Sequence, residues 1–520
     1  MKFLPLKDKR LLLYKDAQLP SSLVIASKGS WQVVRWKFGN LLELTALNLP
    51  VPSPMDEYTW PIQPGKQPFP SQKKVASFMV LNPRSFVLSD TRTGKSRAAL
   101  WAMDYLMTHA NKRVRAIIVS DINALQETWL PEIRLNFMGK RTCIILQGAA
   151  IQRERKLQED YDFYLINHDA LRIGYNRVPA RRTSLAKAFT KRDDIEIVCF
   201  DEATSYRNRT SIMSRAASDL FSKKCKYIWA MTGTPTPNGA LDAYGIKKLV
   251  HPDFDMSFAT WRDTVTYPIT QFKRNEKANA IELTHKLLSP AIRITQDECF
   301  DVPDIEVTDC NVEMTDEQRR HFKELRKKLT IILDSGVAID AVNQASLRIK
   351  LVQISCGVVY DSAHNMHYID AEPRLKTYQD LLKKLTGKVI TFTPFVSTVH
   401  MLHENNKDAS VKIGNSLSRK ERSAIIQDFI AGSKKTIISH PGPIARGIDL
   451  TCASNVVWYA PIERTEHYVQ GNERINGINQ KRKRYICRMA CCDIERGMYS
   501  TKDDKISLMN MVLKLKEMRL

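Results

Sequence analysis

Short apolar runs, each followed by a stretch of helical periodicity, constrain this chain more than any other feature. Five appear in succession: SFVLS (85–89), RAIIVS (115–120), DFYLIN (162–167), IEIVCF (195–200) and KYIWAM (226–231). Runs this short, flanked by helices, predict a parallel sheet covered by helices on both faces. The alternation fades after residue 250, through a polar and basic stretch with a helix near 315–334. It resumes with KVITFT (388–393), SVKI (410–413), KTIISH (435–440), NVVWYA (455–460) and YICRMACC (485–492). Two sheets of like make-up, one after the other, imply an α/β fold with two tandem lobes.

Ahead of them, RLLLYK, SSLVIASK, WQVVRWKF and LLELTAL read as short strands, the middle two joined by a Lys28-Gly29-Ser30 turn. A run of prolines from Pro50 to Pro70 then reads as an extended linker. The expected division is therefore 1–60, a small β module with linker; 61–250, the first lobe; 251–375, a helical basic connection partly belonging to both lobes; and 376–520, the second lobe with a C-terminal helix. The formal charge is +23, which favours a polyanionic partner, nucleic acid before membrane. The clusters Lys112, Arg113, Arg115 and Lys481-Arg482-Lys483-Arg484 are candidate grips on a phosphate backbone. No apolar run reaches the roughly 20 residues that span a bilayer, and the start is not a secretory signal. The 10 cysteines form no CxxC pair, and Cys487, Cys491 and Cys492 lack histidines at zinc spacing. Free thiols in a reducing, cytoplasmic compartment are expected, without a membrane partner.

Two sites carry chemistry. After SFVLS comes Asp90-Thr91-Arg92-Thr93-Gly94-Lys95-Ser96, opening a helical segment. Gly94 permits a tight turn, the helix start aims N–H groups at an anion, Lys95 can reach the β- and γ-phosphates, and the Ser96 hydroxyl suits Mg²⁺. The full phosphate-loop pattern asks for glycine where Ser89 stands. The strand IEIVCF then delivers Asp201 and Glu202 to the carboxyl end of the sheet, where open α/β sheets bind ligands. Asp201 would hold Mg²⁺, directly or through water, and Glu202 would orient and deprotonate the attacking water.

These strings occur in an order that resembles the superfamily-two helicases, specifically their Swi/Snf-like branch. Asp201-Glu202-Ala203-Thr204 continues to Arg207-Asn208, and Thr232-Gly233-Thr234-Pro235 is followed by Asn238. Trp129 with Glu132-Ile133 is similar to the branch's motif Ia, and Gln72 stands where the family reads adenine. KVITFTPFVSTVHML looks like motif IV, Gly414-Asn415-Ser416 like the segment after it, Ala445 through Thr451 like motif V, and Gln470 through Arg474 like the start of motif VI.

The resemblance implies two tandem RecA-like lobes with ATP between them, Mg²⁺ as cofactor, and a nucleic-acid-dependent ATPase. On it, Gln72, Thr91, Arg92, Thr93, Gly94, Lys95, Ser96, Gly447, Asp449 and Gln470 would bind ATP. Lys95, Asp201, Glu202 and the arginine finger Arg474 would be catalytic, and Thr204, Thr232, Thr234 and Arg446 would couple ATP state to lobe movement. It also implies a monomeric motor on duplex, forked or branched DNA, compact like bacteriophage or bacterial members, acting in replication, recombination or repair. Trp31, Arg35, Trp36 and Lys37 are candidate DNA contacts on the β module. Three positions depart from the family: Gly477 replaces a second motif VI arginine, Arg92 a glycine, and Thr204 a histidine. A DEAD-box RNA helicase and a nucleic-acid-binding relative with slow or lost turnover are the alternatives. The Arg207-Asn208 pair and the Trp129 string favour the DNA branch.

Overall fold

The computed structural model describes residues 3–6, 11–62, 67–175, 184–270, 274–299, 303–333, 338–341, 343–413, 417–444, 449–477 and 480–517. The chain divides into two compact units, 1–299 with 509–520, and 300–508.

The first unit holds a seven-stranded sheet in the order Ala291–Ile292, Arg84–Val87, Tyr227–Met231, Ile195–Phe200, Arg115–Ser120, Phe163–Asn167, Cys143–Ile145. Every pairing in it is parallel. Its central strands are buried on both faces, which is why they read as unbroken apolar runs rather than as alternation. One face packs Ile117, Val119, Val198 and Phe200 beneath the helices Ile212–Ala217 and Asp242–Val250. The other packs Ile118, Cys199 and Trp229 beneath Pro70–Leu81 and Lys95–His109.

The strands Phe3–Leu6, Leu11–Lys15, Trp31–Arg35 and Val24–Lys28 form a separate antiparallel sheet in that order. LLELTAL departs from the expected strand: it lies in a helix, Phe38–Ala46. Its buried residues Leu41 and Leu44 are three apart, a helical rather than an alternating spacing, and a short apolar run leaves that choice open. Among the described residues the proline-rich stretch has no strand or helix before Pro70, but it is laid against the lobe. Met55 is fully buried in the lobe's core, the Tyr58 hydroxyl donates to Asp104 at 2.8 Å, and Trp60 meets Trp101 edge-on.

The second unit holds a six-stranded, wholly parallel sheet, ordered Ile305–Asn311, Arg484–Ala490, Ala453–Trp458, Lys388–Phe392, Thr436–Ser439, Ser410–Ile413. The edge strand Ile305–Asn311 escaped the sequence reading because its side chains are mostly exposed and polar. The helix expected near 315–334 runs from Asp316 to Lys328, capped by Thr315 and Gln318, and Leu329 ends it in the left-handed region before a short strand Thr330–Ile332. A buried ion pair organises this unit: Arg374 and Glu495, both essentially without exposure, meet at 3.0 Å. The Arg374 guanidinium also donates to the carbonyls of Tyr459, Ser355 and Met489, and Glu495 accepts from the Ser355 hydroxyl and the Cys491 amide. Among the described residues no helix is long and apolar enough to cross a membrane.

Candidate nucleotide site

Three strands of the first sheet converge on one edge. Arg84–Val87 and Ile195–Phe200 flank Tyr227–Met231. Strands lie about 4.8 Å apart, so the carboxyl ends of the outer two stand roughly 10 Å apart, a span suited to a triphosphate tail and its metal.

The loop after the first strand is shaped for an anion. Gly94 lies at φ 83° and precedes the helix Lys95–His109, whose first turn has no side-chain cap, leaving its N–H groups for a ligand. Gly94 also lets Gln72 pack close: a Cβ there would stand 2.0 Å from Nε2 of Gln72, which would have to move. Gln72 is buried, and its Oε1 accepts from the Phe69 amide, so the residue expected to read adenine is packed onto the phosphate loop. The buried Lys95 ammonium donates to the carbonyls of Ser89 at 2.7 Å and Asp90 at 3.1 Å. Thr93 closes the turn by donating to the Asp90 carbonyl.

The departures from pattern have local explanations. Arg92 adopts φ 62°, the backbone conformation that glycine favours. Ser89 uses its hydroxyl to accept the Ile294 amide at 2.9 Å. That bond belongs to a brace absent from the sequence reading: Arg293 pairs with Asp90 at 3.1 Å and donates to the Leu88 carbonyl, while Gln296 donates to Thr91. Its signal was weak, since Ala291–Ile292 is a strand of only two residues.

At the acid pair, Oδ2 of Asp201 accepts from the Ser120 hydroxyl and from the Trp129 indole N–H, each at 2.9 Å, and Oδ1 accepts the Glu202 amide at 3.1 Å. Trp129 closes a π-helical turn, Leu125–Trp129, and is fully buried. From the helix that follows, Glu132 grips Arg97 of the phosphate-loop helix through two bonds of 2.9 and 3.1 Å. The Trp-x-x-Glu string thus ties the acid pair to the phosphate-loop helix. Glu202 sits at φ 49°, ψ 52°, a conformation that costs a non-glycine residue roughly 1–3 kcal/mol and clusters at functional sites.

The three threonines expected to couple are one network. The hydroxyls of Thr204 and Thr232 lie 2.7 Å apart, Thr204 donates to the Thr234 carbonyl at 2.7 Å, and the Thr234 amide donates to Thr232 at 3.0 Å. The Thr234 hydroxyl oxygen is buried with no hydrogen-bond partner among the described residues. A Cβ on Gly233 would stand 3.4 Å from the Ser89 carbonyl, so this segment lies directly on the phosphate loop. An uncapped helix start, a buried ammonium turned onto carbonyls and an orphaned hydroxyl fit a bound nucleotide, with Ser96 and Asp201 as the candidate Mg²⁺ holders.

In the second unit, Arg474 follows the helix Thr465–Asn472, is buried, and donates through Nε to the Gln470 carbonyl at 3.0 Å. The Gln470 amide is 3.4 Å from Glu466. Asp449 is exposed and caps the turn to Thr451. Arg446 and Gly447 lie outside the described residues, as do Gly414, Asn415 and Ser416. The Cys491 and Cys492 thiols and Glu495 lie within 4.8 Å of one another, but that carboxylate serves Arg374.

The other candidates fare unevenly. Trp36 packs against the core of the N-terminal module, Trp31 is half-buried with the Lys15 ammonium 6.0 Å from its ring, and Arg35 and Lys37 are exposed. Within the basic clusters Lys112 pairs with Glu196 at 2.5 Å, Arg113 with Asp160 at 3.0 Å, Arg115 with Asp194 at 2.6 Å and Lys483 with Glu306 at 2.6 Å, while Lys481 and Arg482 are exposed. Arg484 is buried, donating to Asn476 and to the Pro303 carbonyl.

The family model for the SNF2-related domain matches residues 72–356, and that for the helicase conserved C-terminal domain matches 373–476. A putative protein, p41, of Acyrthosiphon pisum secondary endosymbiont phage 1 is 24% identical over 432 residues, covering 79% of this chain and 89% of its own. An uncharacterized ATP-dependent helicase of Mycoplasma genitalium is 27% identical over 338 residues, 61% of this chain but 30% of that protein, so the chain spans under a third of that relative. The SWI2/SNF2 ATPase core of Sulfolobus solfataricus, solved in complex with double-stranded DNA, is 20% identical with a TM-score of 0.41, covering 86% of this chain and 93% of that one. With the SNF2-related match spanning more than half of its residues and the helicase C-terminal match following it, the chain belongs to the SNF2-related, Swi/Snf-like branch of the superfamily-two helicases and is an ATP hydrolase of that class.

Proposed function

We propose that the chain is an ATP-driven motor that moves on DNA, with duplex or branched DNA as its track. The observation that carries the reading is the bonded continuity from phosphate loop to acid pair to threonine network in the first unit. A group whose occupancy changes the loop would move the Gly233 segment and, through it, Thr204 behind the acid pair.

In this reading Gln72 holds the adenine edge, Lys95 leaves the Ser89 and Asp90 carbonyls for the β- and γ-phosphates, and Ser96 and Asp201 hold Mg²⁺. The metal, when bound, neutralises charge on the transferred phosphoryl group. Glu202 orients the attacking water and accepts its proton, while Ser120 and Trp129 fix the Asp201 carboxylate beside it. On the second unit the proposal assigns Arg474 as the guanidinium that meets developing charge, held through Nε by the Gln470 carbonyl. Trp31, Arg35 and Lys37 remain candidate contacts to a branch or unpaired base; Trp36 is a packing residue.

Phosphate release measured with single-stranded, duplex and forked DNA and with RNA tests the reading. Duplex or forked DNA is expected to stimulate strongly, with Glu202→Gln inactive and still binding ATP. Stimulation by RNA alone would transfer the chain to the RNA-helicase reading. The N-terminal contacts are tested by Trp31→Ala with Arg35→Ala rather than by deletion to residue 60, which would strip Met55 from the lobe's core. Unchanged preference for forked over linear DNA would reject them.

A further inference from the structure

Apart from the Lys112–Arg115 and Lys481–Arg484 clusters, positive charge is gathered at a second place in the first unit. A cavity of about 340 Å³ opens between the helices Ile212–Ala217 and Asp242–Val250, on the outer side of the helical layer. Four cations from three segments line it: Arg209 from the loop after the acid pair, Arg215 and Lys223 from the first helix and its extension, and Lys248 from the second. They face one carboxylate, Asp219, which already accepts from the Tyr175 hydroxyl at 2.5 Å and from Lys223 at 2.7 Å.

Arg209 stands apart from the other three. Lys248 donates to the Pro252 carbonyl at 3.2 Å and Arg215 to the Thr210 carbonyl, but Arg209 is exposed and has no hydrogen-bond or ion-pair partner among the described residues. Its guanidinium instead lies over the rings of Phe258, at 4.9 Å, and Tyr244, at 5.8 Å. Aromatic faces fix the plane of a guanidinium without using its N–H groups, leaving a pre-oriented fork suited to two phosphate oxygens. Aliphatic surface would suit this wall poorly; an oxyanion with two oxygens to offer, as a phosphodiester has, suits it well.

Two lining residues hold the backbone of the segment that follows the acid pair. Ser214 donates to the carbonyls of Tyr206, at 3.2 Å, and Asn208, at 2.7 Å. Gly245 lies so close to Arg207 that a Cβ would stand 2.1 Å from its carbonyl oxygen. Arg209 thus lies eight residues after Asp201, on a segment held by these contacts to both helices.

We propose that this cavity is a phosphate-binding site for the nucleic-acid backbone, with Arg209 as its principal contact and Lys223, exchanging its weak surface pair with Asp219 for phosphate, as its second. The assignment rests on the nucleic-acid reading above and adds a contact surface on the outer helical layer. It is tested by measuring duplex affinity against salt for the full chain, Arg209→Gln, Lys223→Gln and the double variant, with thermal melting as the control for folding. A lost phosphate contact lowers the slope of log affinity against log salt by about 0.9. The expected result is a shallower slope by roughly that amount in each single variant and by about twice that in the double, with melting unchanged. Equal slopes in all four proteins would overturn the site while leaving the motor reading in place; a parent chain that binds no DNA would overturn both. A second arm adds inorganic pyrophosphate, which the nucleotide site also takes: stabilisation distinctly greater in the parent than in Arg209→Gln, with equal DNA slopes, would overturn the nucleic-acid assignment in favour of a free phosphate ligand.

Discussion

At the residue scale, two side chains stand where backbone or hydrogen bonding is under demand. Arg92 holds φ 62°, which costs a non-glycine residue roughly 1 kcal/mol. Arg92→Gly relieves that cost but frees the unfolded chain, so stability is expected to rise by less than about 1 kcal/mol, seen as a slightly higher melting temperature. An unchanged or lower value would show that the arginine side chain contributes as much as its backbone costs. Trp129 donates to Asp201, and Trp129→Phe keeps an aromatic side chain, though a smaller one, but removes the donor. Losing a hydrogen bond to a charged group costs about 1.5–3 kcal/mol, so ATP turnover should fall tenfold or more with little change in ATP affinity. Turnover equal to the parent's would remove Trp129 from the account. The spacing of Trp129 and Glu132 was legible in the sequence, yet the partners were not. Asp201 lies 72 residues from Trp129, and only the sheet order brings their strand ends together.

Among elements, continuous apolar strands were easy to read because both faces are covered, so no polar alternation blurs them. The misreadings share a cause: Ala291–Ile292 is too short and Ile305–Asn311 too exposed to carry an apolar signal, and LLELTAL is too brief to fix its period. The Arg374–Glu495 pair was equally invisible, since neither residue belongs to an apolar pattern. Breaking a buried pair leaves an uncompensated charge and costs about 3–5 kcal/mol, whereas replacing both partners by apolar residues of similar size is far milder. Glu495→Ala should therefore lower the denaturation midpoint of the second unit strongly, and Arg374→Met with Glu495→Leu much less. A single variant as stable as the parent would contradict this reading of the core.

For the whole molecule, acid should weaken the fold before it reaches the carboxylates. His251 is held at about 4, chiefly by burial and then by the nearby Lys247 and Arg84 cations. A depressed imidazole contributes in full above its unfolded value near 6.5, and that contribution is lost as pH falls from 6.5 toward 4. With allowance for its partial exposure the loss is about 2 kcal/mol, and His251→Asn should flatten stability across that window. Denaturant midpoints measured from pH 7 to 4 check it; parallel curves for parent and variant would rule His251 out.

The central claim, that ATP hydrolysis drives this chain along DNA, is tested most directly by displacement of a third strand from a triplex formed on duplex DNA. The account predicts release that requires both ATP and Mg²⁺ and is abolished by Glu202→Gln. Vigorous DNA-stimulated hydrolysis with the third strand left in place would contradict it.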